Sequence, residues 1–526
     1  MKTFFFATLC CIALNIQAQY APPPVDHASS LASLITGDEI SRHLHVLASA
    51  AFEGRETGTP GNAKAAQYIS DQFIAAGIPP VESVDGYFQQ VIFSKVSLQD
   101  MSLNINGTEY AHLKDFIIPA TSMPADEIAF DSDEIVFLGY GIDDPVYSDY
   151  AEKVFEGKAI LIYKGEPVDT DGKSWITGNT QLSEWSKDLD KKLRAAAAHR
   201  VALVYVIEDQ FRAKVSEERM SILGGRTIMG IPDVQNSEYV PHVLISSNIA
   251  GVLMGSKSEK VIKTRDKIRA RGKPKTVKIP VQTRLHAQRS IDSTPGANVL
   301  GYIEGVDSLL KDQVIVISAH YDHLGKRGDD IFYGADDNGS GTSGVIAIAS
   351  AFAEAKRKGV GPRRSVLCLL VTGEEKGLLG SEYYSEFPVF PLKNTVADIN
   401  IDMIGRMDDK HSDPHYTYVI GADRLSSELH EINEAVNEKY TQLQLDYTYN
   451  AESDPNRFYY RSDHYNFAKH GIPAIFYFSG VHEDYHRPTD TVDKIMFDKA
   501  ANIARLAFHT AWELANRDAR IKVDRS

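Results

Sequence analysis

The sequence predicts an α/β protein with a mostly parallel central sheet flanked by helices, and with an α+β segment inserted into it. Three observations carry this. From residue 297 onward, short apolar runs alternate with helical stretches, the pattern of a parallel sheet. Each run is followed at once by a segment bearing carboxylates or imidazoles, and open α/β sheets bind ligands beyond the carboxyl ends of their strands. Between residues 129 and 275 the pattern changes, and few His, Asp or Glu residues converge.

In chain order, residues 1–18 read as a secretory signal peptide. Lys2 supplies a positive charge, 4–16 is a short apolar run, and Ala18 is a small residue at the cleavage point. The run is too short to span a membrane, and no later stretch reaches the ~18 apolar residues a membrane helix needs. An exported protein, periplasmic or extracellular and without an integral membrane segment in its mature form, is expected. Cys10 and Cys11 fall inside the leader, and Cys368 sits in the apolar run 366–371, so it reads as a core thiol without an internal disulfide partner.

Residues 52–61 have loop chemistry, and 62–76 has the apolar spacing of a helix. The inserted segment, 129–275, offers strands at 134–142, 158–163, 201–207 and 240–245, and a helix at 182–199. A basic stretch, 257–278, closes it and reads as a solvated surface. The main domain takes 38–128 and 276–526. Its strands are predicted at 314–318, 366–371, 396–401 and 474–478, and its helices at 344–358, 427–440 and 495–516. With 526 residues, two or three domains are expected. With 56 basic against 71 acidic residues the chain repels polyanions on average, so nucleic acid is not an expected partner.

The chemistry-bearing segments lie behind the predicted strands. His320-Tyr321-Asp322-His323 follows 314–318, and Gly334-Ala335-Asp336-Asp337-Asn338-Gly339 opens the next helix. Glu374-Glu375 follows 366–371, and Asp402 follows 396–401. His482-Glu483-Asp484-Tyr485-His486 and Asp490 follow 474–478. Taken singly these are ordinary: Asp336-Asp337 is turn chemistry, and Glu374-Glu375 is a solvated pair at a helix start. Together they suggest a metal site of mixed His and carboxylate ligands.

This set resembles the secreted co-catalytic di-zinc aminopeptidases, relatives of the bacterial leucyl aminopeptidases and of glutamate carboxypeptidase, over residues near 40–95 and 297–515. The segment between resembles the protease-associated domain that many members carry. The resemblance implies a zinc-exopeptidase fold, two zinc ions with a bridging hydroxide, and peptide substrates with a free N-terminus. His320 and Asp402 would bind one zinc, Glu375 and His486 the other, and Asp337 both, with Asp336 as its rival. Glu374 would be the general base. Asp322 would support His320, and Asp490 would do the same near His486. Tyr485 resembles an oxyanion-side tyrosine, with Tyr459 and Tyr460 as rivals. A cis peptide from Asp337 to Asn338 is also implied. Three carboxylates around two dications would leave a net positive site that favours a bound hydroxide.

His482 to His486 also matches HExxH, which needs both histidines on one helix face. Gly480 before it and Pro488 after it argue against that helix. No Gly-Lys-Ser/Thr supports a phosphate loop, and no G-x-S-x-G supports a serine hydrolase. Arg406 and Arg461 could hold a C-terminal carboxylate, which keeps a carboxypeptidase or a glutaminyl-cyclase-like enzyme as alternatives. A non-catalytic receptor-like binding protein would not need the full set of His320, Asp337, Glu374, Glu375, Asp402 and His486.

Overall fold

The computed structural model describes residues 26–119, 126–151, 154–231 and 239–525. The segment 1–18 lies outside the described residues. The strands that organise the chain are β1 (Phe88–Ile105), β2 (Glu127–Phe137), β3 (Ala159–Tyr163), β4 (Leu203–Ile207), β5 (His242–Ile245), β6 (Val277–Ile303), β7 (Val314–His320), β8 (Ser365–Val371), β9 (Thr395–Ile401), β10 (Tyr416–Ile420) and β11 (Ala474–Phe478). They share one sheet in the order β10–β11–β9–β7–β8–β6–β2–β3–β4–β5. The four strands β11, β9, β7 and β8 are mutually parallel. This bears out the predicted α/β architecture.

Every residue of β7, β8 and β9 is buried. That is why they read as unbroken apolar runs: a parallel strand covered on both faces has no polar side to show. Alternate residues serve opposite faces. Ile315 and Ile317 of β7 join the large core, whereas Val314 and Val316 join a smaller cluster on the other side. The large core is closed by helices α1 (Gly37–Leu47), α2 (Pro60–Ala75), α3 (Gly341–Arg357) and α4 (Phe497–Asn516). Phe352 of α3 meets Phe508 of α4 with ring centres 4.8 Å apart.

The two longest strands were not predicted. β1 and β6 pair antiparallel over most of their length and join the two parts of the sheet. One end of β6 pairs with β8 and the other with β2. Its first half alternates strictly: Val277, Ile279, Val281, Thr283, Leu285 and Ala287 are buried, while Lys278, Pro280, Gln282 and Arg284 are exposed. β10 was also unpredicted. The helix expected at 182–199 is two, Glu184–Lys187 and Leu189–Ala198, and the helix expected at 427–440 runs as an α-helix to Val436 and continues as a π-helical turn, Asn437–Thr441. The basic stretch is largely the helix Ser258–Arg271, which buries Val261, Thr264 and Ile268. It packs in a second apolar cluster with β2–β5 that also takes in Leu98, Leu103, Ile105, Phe116 and Ile118, all before residue 129.

Candidate metal centre

Because β7, β8, β9 and β11 are parallel neighbours, their carboxyl ends lie along one edge of the sheet. His320 is the last residue of β7. Glu374 and Glu375 stand in a short 3-10 turn after β8. Asp402 follows β9 directly. Asp337 lies in the turn that opens α3, and the peptide bond from Asp337 to Asn338 is cis. His486 comes from the loop after β11.

The six side chains converge, and the distances sort them into two sets. His320 Nε2 lies 3.5 Å from Asp337 Oδ1 and 3.4 Å from Asp402 Oδ1. His486 Nε2 lies 3.1 Å from Asp337 Oδ2 and 3.3 Å from Glu375 Oε2. Asp337 therefore presents one oxygen to each set. Ligand atoms held ~2.0–2.2 Å from a tetrahedral zinc stand about 3.3–3.6 Å from one another, so these spacings suit such an ion. Asp402 Oδ1 is buried without a hydrogen-bond partner among the described residues, as an atom awaiting a cation would be. Glu374 Oε2 is 3.9 Å from His320 Nε2, and Glu374 also comes within metal-ligand range of His320 and Asp402, as His323 does of Asp337 and Glu375.

The field of the site points the same way. Burial alone would lower the pKa of both imidazoles. Asp402, Glu374 and Asp337 instead raise His320 well above its ordinary value. Asp337 and Glu375 raise His486 to about 10. Burial pushes the Glu374 carboxyl well up, and Glu375 and Asp463 add to the rise. A cluster whose carboxylates favour the cationic form of its histidines also favours a metal cation in place of those protons. Residues and chemistry fit two divalent ions.

Asp336 is not the shared carboxylate. Its Oδ1 accepts the Gly405 N–H at 2.6 Å, and its Oδ2 faces His482 Nε2 at 3.3 Å, so it ties loops together behind the site. His482 is thereby occupied, and 482–486 is a turn rather than a helix, so the HExxH reading has no structural footing. Two supporting roles differ from expectation. Asp490 does not support His486. It accepts the backbone N–H groups of Asp336 and Asp337 at 3.0 and 3.2 Å. Asp322 meets His320 Nδ1 through its backbone carbonyl at 3.1 Å, while the nearer carboxylate oxygen is 3.7 Å away. That carboxylate instead receives the Thr57 hydroxyl at 2.8 Å and the Glu374 N–H at 3.2 Å, which fixes the glutamate turn.

Two residues escaped the sequence reading. His323 is fully buried, with Nδ1 2.8 Å from Glu375 Oε1 and 3.8 Å from Asp337 Oδ2. Its signal was its place one residue after Asp322. Arg55 lies in the stretch read as a plain loop. Its guanidinium is 1% exposed and donates to the carbonyls of Tyr321, Leu47, Tyr333 and Gly334 at 2.7–2.8 Å. It thus ties the end of α1 to both ligand-bearing loops. Nothing in its local sequence announces those partners.

Above the donor sets opens a cavity lined by His320, Asp337, Glu374, Asp402, His486 and Tyr485, with Met403, Phe458, Phe476, Phe478 and Val481 as an apolar wall and Arg461 at its side. The Tyr485 ring stacks on His486 with centres 3.9 Å apart. Tyr459 and Tyr460 are not among the lining residues.

A parallel sheet thus carries paired His and carboxylate donor sets along its carboxyl edge, a candidate metal centre. Residues 298–511 match the family model described as Peptidase family M28. It is 30% identical over 216 residues to a "Probable leucine aminopeptidase" of Trichophyton verrucosum, covering 39% of this chain and 55% of that protein. It is 26% identical over 232 residues to "Aminopeptidase YwaD" of Bacillus subtilis, covering 43% of this chain and 46% of that one. The chain thus spans about half the length of these curated relatives. The solved aminopeptidase from Aneurinibacillus sp. strain AM-1 superposes with a TM-score of 0.53 at 18% identity, covering 95% of this chain and 98% of that one, and shares the fold. No helix among the described residues is long and apolar enough to cross a membrane.

Proposed function

We propose that this chain is an exported aminopeptidase that hydrolyses the N-terminal peptide bond of peptides at a two-zinc centre. The observation that carries the reading is the division of Asp337, one oxygen to the His320–Asp402 set and the other to the Glu375–His486 set, with Glu374 Oε2 3.9 Å from His320 Nε2. His320, Asp337 and Asp402 would hold one ion, and Asp337, Glu375 and His486 the other. Two zinc ions, when bound, would supply Lewis acidity at the scissile carbonyl and a nucleophile from water near neutral pH.

The chain's own groups do the rest. Glu374 takes the proton from the attacking water and hands it to the leaving nitrogen. The Tyr485 hydroxyl oxygen accepts from Arg461 Nη2 at 3.4 Å. Arginine has no acceptor, so the tyrosine's own hydrogen is left for the oxyanion that forms at the carbonyl. The carboxylates around the donor sets attract a free amine, and the wall of Met403, Phe458, Phe476 and Phe478 suits an apolar first side chain. The export part of the reading rests on residues 1–18, and a secreted product beginning just after Ala18 on N-terminal sequencing is its check. The segment 129–275 fits the same reading as an inserted protease-associated domain, on the ground of two apolar clusters apart from the large core, which it shares with residues 98–118 and 277–287.

Acetylating the amine removes its charge and its ability to ligate, a loss of several kcal/mol where water is excluded. A hexapeptide with N-terminal leucine should therefore be cleaved by the zinc-loaded protein at least ~100-fold faster than its N-acetyl form, while its C-amide is cleaved like the parent. Equal cleavage of the N-acetyl form, with loss on C-amidation, would replace this reading by a carboxypeptidase.

A further inference from the structure

Beside His320 and His486, the metal centre holds a further imidazole, His323. It lies three residues past the end of β7, and its backbone N–H donates to the Arg55 carbonyl at 3.3 Å. The side chain is fully buried and is not among the residues that line the cavity, so it does not meet a substrate. The ring sits in a slot that leaves room for it. On one side is Gly334, at φ 55°, where an added Cβ would come 2.5 Å from His323 Cγ and Cδ2. On another the His486 ring packs edge-on, with centres 5.9 Å apart.

Neither Nδ1 nor Nε2 of this ring has a hydrogen-bond partner among the described residues, and Glu375 Oε1 has none either. Nδ1 and Oε1 stand 2.8 Å apart, yet they are not aligned as donor and acceptor. Asp337 Oδ2 lies 3.8 Å from the same Nδ1. Glu375 thus turns Oε1 to His323 and Oε2 to His486, and Asp337 Oδ2 faces both rings. Buried polar atoms without partners call for an ion or a water between them, and imidazoles with carboxylates are donors that zinc takes. His323 differs here from Glu374, which also comes near a donor set but lines the cavity and can reach a substrate. We propose that His323 is a fourth protein donor at the Glu375–His486 position. Four protein donors fill the coordination that zinc prefers, whereas three leave a place for water or substrate. The Glu375–His486 position should therefore hold its ion more tightly than the His320–Asp402 position does. This rests on the two-zinc reading and goes beyond it, because that reading gives each position three protein donors.

X-ray absorption of the wild type loaded with one equivalent of zinc tests this without any substitution. That zinc should show the scattering of two imidazoles, and a single imidazole would overturn the inference. Zinc titration of the metal-free protein against a competing chelator should give two steps. The first should be tighter by about 100-fold or more, since a ligand counts for more than the 10–100-fold of a group that only orients one. His323→Asn keeps an amide N–H that can hold Glu375 Oε1 but offers no imidazole, and His323→Ala removes both. With metal-free melts to show that the variants fold, each should weaken the tighter step by about 100-fold or more and leave the other in place. A tighter step lost in His323→Ala but unchanged in His323→Asn would reduce His323 to a prop for Glu375 and overturn the inference. A wild type that binds fewer than two zinc ions would overturn the two-zinc reading and this inference together. Two ions, with one imidazole on the first, would overturn this inference alone.

Discussion

Glu374→Ala is expected to keep the fold and both zinc ions while lowering kcat by roughly 10²–10⁴-fold or more. The expectation comes from position. Glu374 and Glu375 are consecutive, yet Glu375 Oε2 lies 3.3 Å from His486 Nε2, while Glu374 Oε2 is farther from its nearest imidazole, 3.9 Å from His320 Nε2, and lines the cavity. Its backbone N–H is held by Asp322, so the turn that aims it does not depend on its own side chain. Removing the carboxylate should remove proton transfer and little else. Zinc content, a thermal melt and kcat measured together check this. Near-normal turnover in Glu374→Ala, with activity abolished by Glu483→Ala, would move the chemistry to the HExxH glutamate and overturn the site as drawn.

Asp337→Ala should cost metal at both positions, because its two oxygens serve different donor sets. Losing a partner that only orients a ligand already costs 10–100-fold in affinity, so loss of a shared ligand should exceed about 100-fold at each position. His486→Ala, by contrast, should empty one position first. Asp336→Ala should leave zinc stoichiometry at two, since its carboxylate is committed to Gly405 and His482. Zinc titration of the three variants decides the matter. Two tightly bound ions in Asp337→Ala, with loss in Asp336→Ala, would transfer the bridging role to Asp336.

Much of this centre was legible from the chain alone. Central parallel strands are buried on both faces, so they print as short apolar runs, and their carboxyl ends print as the polar residues that follow. That logic picked out His320, Asp402 and the 374–375 pair as residues of one edge. The family resemblance then supplied which of them should share a metal. The strands β1 and β6 were missed for the opposite reason. Their buried residues alternate with Lys278, Gln282 and Arg284, and their polar sides face solvent, so no apolar run marks them. A period-two count over 277–287 would have found the start of β6.

By itself, then, the sequence determined the α/β class, the strands behind the site and the residue types gathered there. These follow from local burial patterns, which are written along the chain. The tertiary structure alone decided which of Asp336 and Asp337 faces the donor sets, that Asp490 grips the loop between them, and that His323 reaches Glu375. It alone showed that Arg55 ties that loop to α1, and that, among the described residues, Arg461 has no carboxylate contact where Arg406 has two. Each of these depends on where a side chain points in an irregular loop and on what a segment many residues away brings opposite it. Neighbouring residues in a turn face different ways once their backbone hydrogen bonds are assigned, and those bonds are made by partners from other segments.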